Sequence, residues 1–165
     1  MIDIIITPKE HQSNGDLRKT LLSICGQSIK DELKIYLVDS SFNEDYLSET
    51  ETFKEKINIQ VINCKGENYL NSIIDKTENK YVMFIEMGDM FYNYFSLEYL
   101  YNEIINKEAD ICVGLVVENE QGMYKYLEEN NYKLLGKIYS KEFFGKNTEE
   151  IKVKYLNELI CLHNI

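Results

Sequence analysis

The sequence predicts an α/β domain with a mostly parallel central sheet, and three observations carry that prediction. Apolar, β-branched runs recur along the chain at Ile2–Thr7, Leu33–Val38, Ile57–Ile62, Tyr81–Ile85 and Ala109–Val117. Runs with so little polar interruption belong to strands covered on both faces. Segments with helical spacing lie between these runs, which implies right-handed crossovers between parallel strands. The length, 165 residues, suits one domain spanning residues 1–165, and no repeat, low-complexity tract or linker divides it.

Each element has its own warrant. Ile2–Thr7 is the first strand, broken by Pro8–Gly15. Asn14-Gly15-Asp16 offers a cap, and Leu17, Leu21 and Ile24 follow at i, i+4 and i+7, the buried stripe of a helix. Leu33–Val38 is the second strand, ending at Asp39-Ser40-Ser41. A short helix is expected around Tyr46–Lys56, a third strand at Ile57–Ile62, and a helix at Asn68–Thr77 with Leu70, Ile73 and Ile74 on one side. Tyr81–Ile85 is the fourth strand and stops at Glu86-Met87-Gly88-Asp89. Ser96 is positioned to cap a longer helix bearing Leu97, Leu100, Tyr101, Ile104 and Ile105. After the fifth strand come a Gly122 turn, an aromatic segment from Met123 to Tyr132, and Lys133–Phe144. A last amphipathic helix is expected from about Thr148 to His163.

Composition narrows the function classes. Hydrophobic residues are 44% of the chain and charged residues 28%, a balance that excludes a disordered chain. The 13 Tyr, against no Trp and one Pro, reads with the many Ile, Asn and Lys as a base-composition bias. A net charge of −10 repels phosphate backbones and anionic membranes, so no nucleic-acid partner is expected. An anionic ligand would need local compensation from a metal, a helix N-terminus or a few lysines. Cys25, Cys64, Cys112 and Cys161 form no CxxC pair and sit mostly among apolar neighbours, as buried thiols do. The two histidines, His11 and His163, lie at opposite ends of the chain, which argues against zinc. No run approaches the ~18–20 apolar residues that span a bilayer, and no leader precedes Ile2, so a cytoplasmic protein without membrane insertion is expected.

In open α/β sheets ligands bind beyond the C-terminal ends of the strands, here Thr7-Pro8, Asp39-Ser40 and Glu86–Asp89. The residues at these ends have a familiar arrangement. Ile4–Pro8, followed by Leu17-Arg18-Lys19-Thr20-Leu21-Leu22-Ser23-Ile24 and Gln27-Ser28, resembles the opening of family-2 glycosyltransferases, with their helix L-R-x-[ST]-L-x-S-[IL]-x-x-Q-[ST]. Leu37–Ser41 resembles their strand ending V-D-D-G-S, and Asn71, ten residues before Tyr81, is spaced like the asparagine of A-R-N-x-G. Tyr81–Asp89 resembles Y-[IV]-x-F-[IL]-D-x-D-D. Gly136–Phe144 matches G-K-[LI]-Y-x-[KR]-x-[LF], and Asn157-Glu158-Leu159 stands where members carry G/N-E-D. The motifs occur in the family's order and cover nearly the whole chain.

The resemblance implies a GT-A fold: a Rossmann-like three-layer sandwich transferring a sugar from a nucleotide-diphospho-sugar, a UDP-sugar by preference, to a glycan or protein acceptor with inversion. It assigns Asp39 to the uracil ring, where the alternative is a turn-forming Asp before Ser40-Ser41. Thr7, Pro8, Asn71 and Lys137 fall at nucleotide-binding positions. Glu86 and Asp89 would hold Mg²⁺ or Mn²⁺, hard ions that take oxygen ligands and bridge a diphosphate; otherwise they are solvated strand-end acids. Gly88 offers no ligand where the family has its second aspartate. Leu70 replaces an arginine, and Leu159 replaces the aspartate that acts as general base, leaving Glu158 as the nearest carboxylate. Otherwise Glu158 is a helix-surface residue, and His163 is read as structural. Tyr92, Tyr94, Tyr99 and Tyr101 straddle a helix start, divided between core and a sugar-stacking surface. The chain ends soon after Glu158, leaving an acceptor region for a second subunit of a homo-oligomer to complete. The altered positions keep a second reading open, a catalytically silent GT-A domain that binds a nucleotide, a glycan or a protein. A third reading, another nucleotide-using transferase on a similar sheet, has little support, because GxGxxG and P-loop motifs are both missing.

Overall fold

A computed structural model describes residues 1–8, 13–39, 44–63, 69–127, 134–146 and 151–164. Four strands form a parallel unit in the order β3-β2-β1-β4, with β1 at Ile2–Thr7, β2 at Leu33–Asp39, β3 at Asn58–Asn63 and β4 at Tyr81–Glu86. The helices are α1 (Asn14–Cys25), α2 (Glu44–Glu51), α3 (Tyr69–Ile74) and α4 (Ser96–Asn106).

Alternation along the strands explains the layers. Ile2, Ile4 and Ile6 of β1 face the core shared with Leu17, Leu21 and Ile24 of α1 and Leu97, Leu100 and Ile104 of α4. Ile5 points the other way, with Tyr36 and Val38, towards Ile73 and Ile74 of α3. Met83 and Ile85 of β4 join the first core, Val82 and Phe84 the second. The sheet is thus the middle layer of three, as expected.

Beyond β4 the sheet continues with the expected fifth strand and with four strands the sequence reading did not resolve. In chain order they are β5 (Met90–Phe91), β6 (Ile111–Glu120, the expected one), β7 (Met123–Tyr126), β8 (Lys137–Ser140) and β9 (Val153–Asn164), extending the order to β4-β8-β6-β9-β5 with β7 on β6. β8 runs antiparallel to both β4 and β6, while β9 runs parallel to β6 and antiparallel to β5. The Gly122 turn is a two-residue hairpin between β6 and β7: Gln121 and Gly122 have φ of 50° and 88°, the left-handed pair of a type I′ turn.

Three local expectations are corrected. The C-terminal segment is the strand β9, not a helix from Thr148 to His163. Its apolar spacing fits a helix locally, but β6 offers an edge whose backbone groups need partners, and that pairing overrides local pattern. The cap of α1 is Ser13, whose backbone N–H donates to the Asp16 carboxylate at 3.0 Å. Phe95 holds the cap position of α4, so Ser96 is its first helical residue, and the Ser96 hydroxyl accepts from the Asn93 N–H at 3.1 Å.

Candidate functional site

Register brings three strand ends together. Thr7 pairs with Glu86, and Ile6 pairs with Leu37, so β1, β2 and β4 finish along one rim at Thr7, Asp39 and Glu86. Thr7 and Pro8 are half-buried there. The backbone of Asp39 closes β2 beside Asn63, while its side chain lies outside the described residues, as do His11, Ser40, Ser41 and Cys64.

The chain leaves β4 through a tight turn. The Met87 N–H donates to the Thr7 carbonyl at 2.9 Å, and the Asp89 N–H returns to the Glu86 carbonyl at 3.0 Å. Gly88, third of the four residues, has φ of 97°. That is the position where a type II turn requires a positive φ and therefore favours glycine. Gly88 contributes no ligand; its conformation folds Asp89 back towards Glu86. Met87 is buried in the main core.

Opposite this turn lies β9. Met90 pairs with Leu162 in antiparallel register, which sets Asp89 against His163. The His163 Nδ1 lies 2.9 Å from a carboxylate oxygen of Asp89, and Asp89 is fully buried. One ligand atom from each of Glu86, Asp89 and His163 lies within 4.8 Å of the other two. His163, read from sequence as structural, is therefore part of the site. The signal for it was the strand register of β9, which a helical reading of that segment conceals.

The donor set suits a divalent ion. With bonds of ~2.1 Å, neighbouring ligands of an octahedral ion stand ~3.0 Å apart and opposite ones ~4.2 Å. The Asp89–His163 separation of 2.9 Å fits the first spacing, and separations held within 4.8 Å are compatible with the second. Two carboxylates with one imidazole favour Mn²⁺ over Mg²⁺, which prefers oxygen throughout.

The other expected residues fall around this rim. Asn71 is exposed in the first turn of α3, and Leu70 beside it has a side chain outside the described residues. Met83 pairs with Ile138, so Lys137 is level with Phe84, half-buried towards the Glu86 end of β4. Glu158 is exposed, not on a helix but in a bulge of β9: Val113 pairs with Tyr155 and Leu115 with Leu159. Tyr92, Tyr94 and Tyr99 are exposed, whereas Tyr101 packs edge-on against Tyr81. Tyr92, Tyr126, Leu159 and Leu162 help to wall a cleft of about 430 Å³. Tyr126 and Leu162 are both register partners of Val117, while His163 pairs with the next residue, Glu118. Successive residues alternate faces, so this cleft opens on the other face from His163.

Among the described residues no helix is long and apolar enough to cross a membrane. No protein-family model matches the sequence, and no curated protein matches it. Solved structures do match. Residues 1–349 of S. aureus TarS, in complex with UDP-GlcNAc, align with a TM-score of 0.78 at 15% identity, over 100% of this chain and 59% of that one. The mannosyltransferase PcManGT from Pyrobaculum calidifontis, in complex with GDP-Man and Mn²⁺, aligns with a TM-score of 0.68 at 10% identity, over 98% of this chain and 56% of that one. The chain thus spans just under three fifths of the length of these structures. Likeness at such identities is a statement about architecture, and the architecture is that of a GT-A-like glycosyltransferase fold.

Proposed function

We propose that this chain is a nucleotide-sugar glycosyltransferase domain of the family-2 type, taking a UDP-sugar and holding Mn²⁺ or Mg²⁺ through Glu86, Asp89 and His163. The observation that carries the reading is the convergence of these three side chains at the C-terminal rim of the sheet. Ligands collect at that rim in open α/β folds. A divalent ion there supplies charge neutralisation to the diphosphate and to the departing UDP.

The remaining roles belong to the chain's own residues. Thr7, Pro8 and Asn71 border the nucleotide, Asp39 accepts a hydrogen bond from the uracil ring, and Lys137 adds positive charge for the diphosphate. Glu158 takes the proton of the acceptor hydroxyl as that oxygen attacks the anomeric carbon. The bond from that carbon to the phosphate oxygen breaks, UDP leaves, and the configuration inverts. Leu159 lining an apolar cleft, where the family resemblance expects the basic aspartate, favours a second reading: a domain that binds the donor without turnover.

Calorimetric titration with UDP, with and without Mn²⁺, and with GDP and CDP as controls, tests both. The expected outcome is UDP binding that needs Mn²⁺ and prefers uridine. In Asp89→Asn the Mn²⁺ dependence should disappear, since losing a ligand costs more than the ~10–100-fold that losing a supporting partner costs. UDP-sugar hydrolysis or transfer by the wild type then separates the enzyme from the binding module. No affinity for any nucleotide would sink both readings.

A further inference from the structure

We infer that Thr20 is a positioning residue for the site: its buried hydroxyl holds the 86–89 turn in the shape that keeps Asp89 beside Glu86 and His163. The inference rests on the metal-assisted reading above.

Thr20 lies on α1 and is fully buried. Its hydroxyl oxygen accepts from the Gly88 N–H at 2.9 Å, and its hydroxyl hydrogen donates to the Asp89 carbonyl at 2.8 Å. A threonine within a helix ordinarily gives that hydrogen to the carbonyl four residues back. Here the Asp16 carbonyl is farther, at 3.3 Å, and a hydroxyl has one hydrogen to give. The bond is spent across the interface with the turn instead. The two groups held, Gly88 N–H and Asp89 C=O, bracket the Gly88–Asp89 peptide and the α-carbon from which the Asp89 carboxylate projects. Gly88 also carries the turn's left-handed φ of 97°. Thr20 therefore grips the turn at the place where its backbone conformation decides where Asp89 points.

Two neighbours, Ser23 on α1 and Gln27 just beyond its Gly26 C-cap, show that the grip is local. The Ser23 hydroxyl accepts from the Phe91 N–H at 3.3 Å. Gln27 donates through Nε2 to the Asn93 carbonyl at 2.9 Å and accepts through Oε1 from the Leu97 N–H at 3.1 Å. These three residues match the Thr, Ser and Gln of the α1 motif, and each secures a later stretch of the segment 88–97. Only Thr20 among them meets the ligand-bearing turn.

The test compares wild type, Thr20→Val, Thr20→Ser and Gln27→Met for Mn²⁺ affinity by calorimetry, for thermal midpoint, and for Gly88 amide exchange by NMR. Valine keeps the shape of threonine and removes the hydroxyl that both turn groups bond; serine keeps the hydroxyl. Thr20→Val should weaken Mn²⁺ binding on the order of 10–100-fold and accelerate Gly88 exchange, and Thr20→Ser should restore both. Gln27→Met should lower the thermal midpoint and leave Mn²⁺ affinity in place. Wild-type affinity in Thr20→Val, or an equal loss in Gln27→Met, would overturn the inference, because the effect would then be absent or a general loosening. If Thr20→Val does not fold, Thr20→Cys, with its weaker donor and acceptor, carries the same comparison. A wild type that binds no Mn²⁺ removes the metal-assisted reading. Gly88 exchange then decides alone: unchanged protection in Thr20→Val overturns the grip, and faster exchange restored by Thr20→Ser sustains it.

Discussion

In β3-β2-β1-β4 each ladder is parallel and unbroken, whereas the ladder between β6 and β9 slips twice. β1 and β4 are buried at all but their last residue, while β7, at the end of the other half, is exposed along its whole length. The slips have a geometric consequence. The pairing offset grows from 42 residues at Ile111–Val153 to 45 at Glu118–His163. A strand alternates its side chains with a period of two, so an odd shift sends later residues to the opposite face. The slipped half is thereby able to aim His163 at the turn that the regular half delivers. Regular pairing carries Glu86 and Asp89 to the rim, and irregular pairing brings their partner.

The largest effect that would sharpen this contrast concerns Glu158, exposed within the first slip. If that bulge presents a general base, Glu158→Gln should lower turnover by on the order of 10²–10⁴-fold with UDP affinity unchanged. Equal turnover would make the bulge a device for aiming side chains alone.

A smaller effect comes from Gly114, at the same slip. A Cβ there would lie 2.1 Å from Cγ1 of the buried Ile160. Gly114→Ala should therefore destabilise the protein by about 1–3 kcal/mol through overpacking, read as a lower thermal midpoint. A midpoint equal to wild type would mean that β6 and β9 yield easily at the slip, and the contrast between the halves would widen. The smallest effect is expected at Tyr124, two-thirds exposed on β7. Tyr124→Ala should change stability by no more than about 0.5 kcal/mol. A larger loss would show that β7 supports the sheet and break the comparison.

Legibility from sequence divides along the same line. The five apolar runs all became strands: a strand buried on both faces leaves little local ambiguity, while β3, at the edge of the sheet, exposes Asn58, Gln60 and Asn63. The stripes Leu17-Leu21-Ile24 and Leu97-Leu100-Ile104 face the core as read. β9 was not legible as a strand. Its residues Val153–Asn164 alternate imperfectly because three extra residues are absorbed in the slips, and the interrupted pattern resembles a helical one. Misreading β9 hid His163, whose side chain meets its partner Asp89 across 74 residues of sequence. Gly88 looked like a lost ligand because a motif compares identities position by position. The turn trades identity for conformation and sets the next residue, Asp89, close to Glu86 and His163. Thr20, Ser23 and Gln27 were visible as a motif, yet their task, holding the backbone of the segment 88–97, becomes apparent only in three dimensions.

The docking of β9 also has a kinetic side. One strand completes the ladders of β5 and β6 and delivers His163 in the same movement. Such sequence-distant pairing closes late, because the chain must give up loop entropy before the contacts return it. A cation held by Glu86, Asp89 and His163 would bind the finished chain and not the earlier collapsed forms. By mass action it would then draw the last strand home, so that acquiring the ion and finishing the fold are a single event.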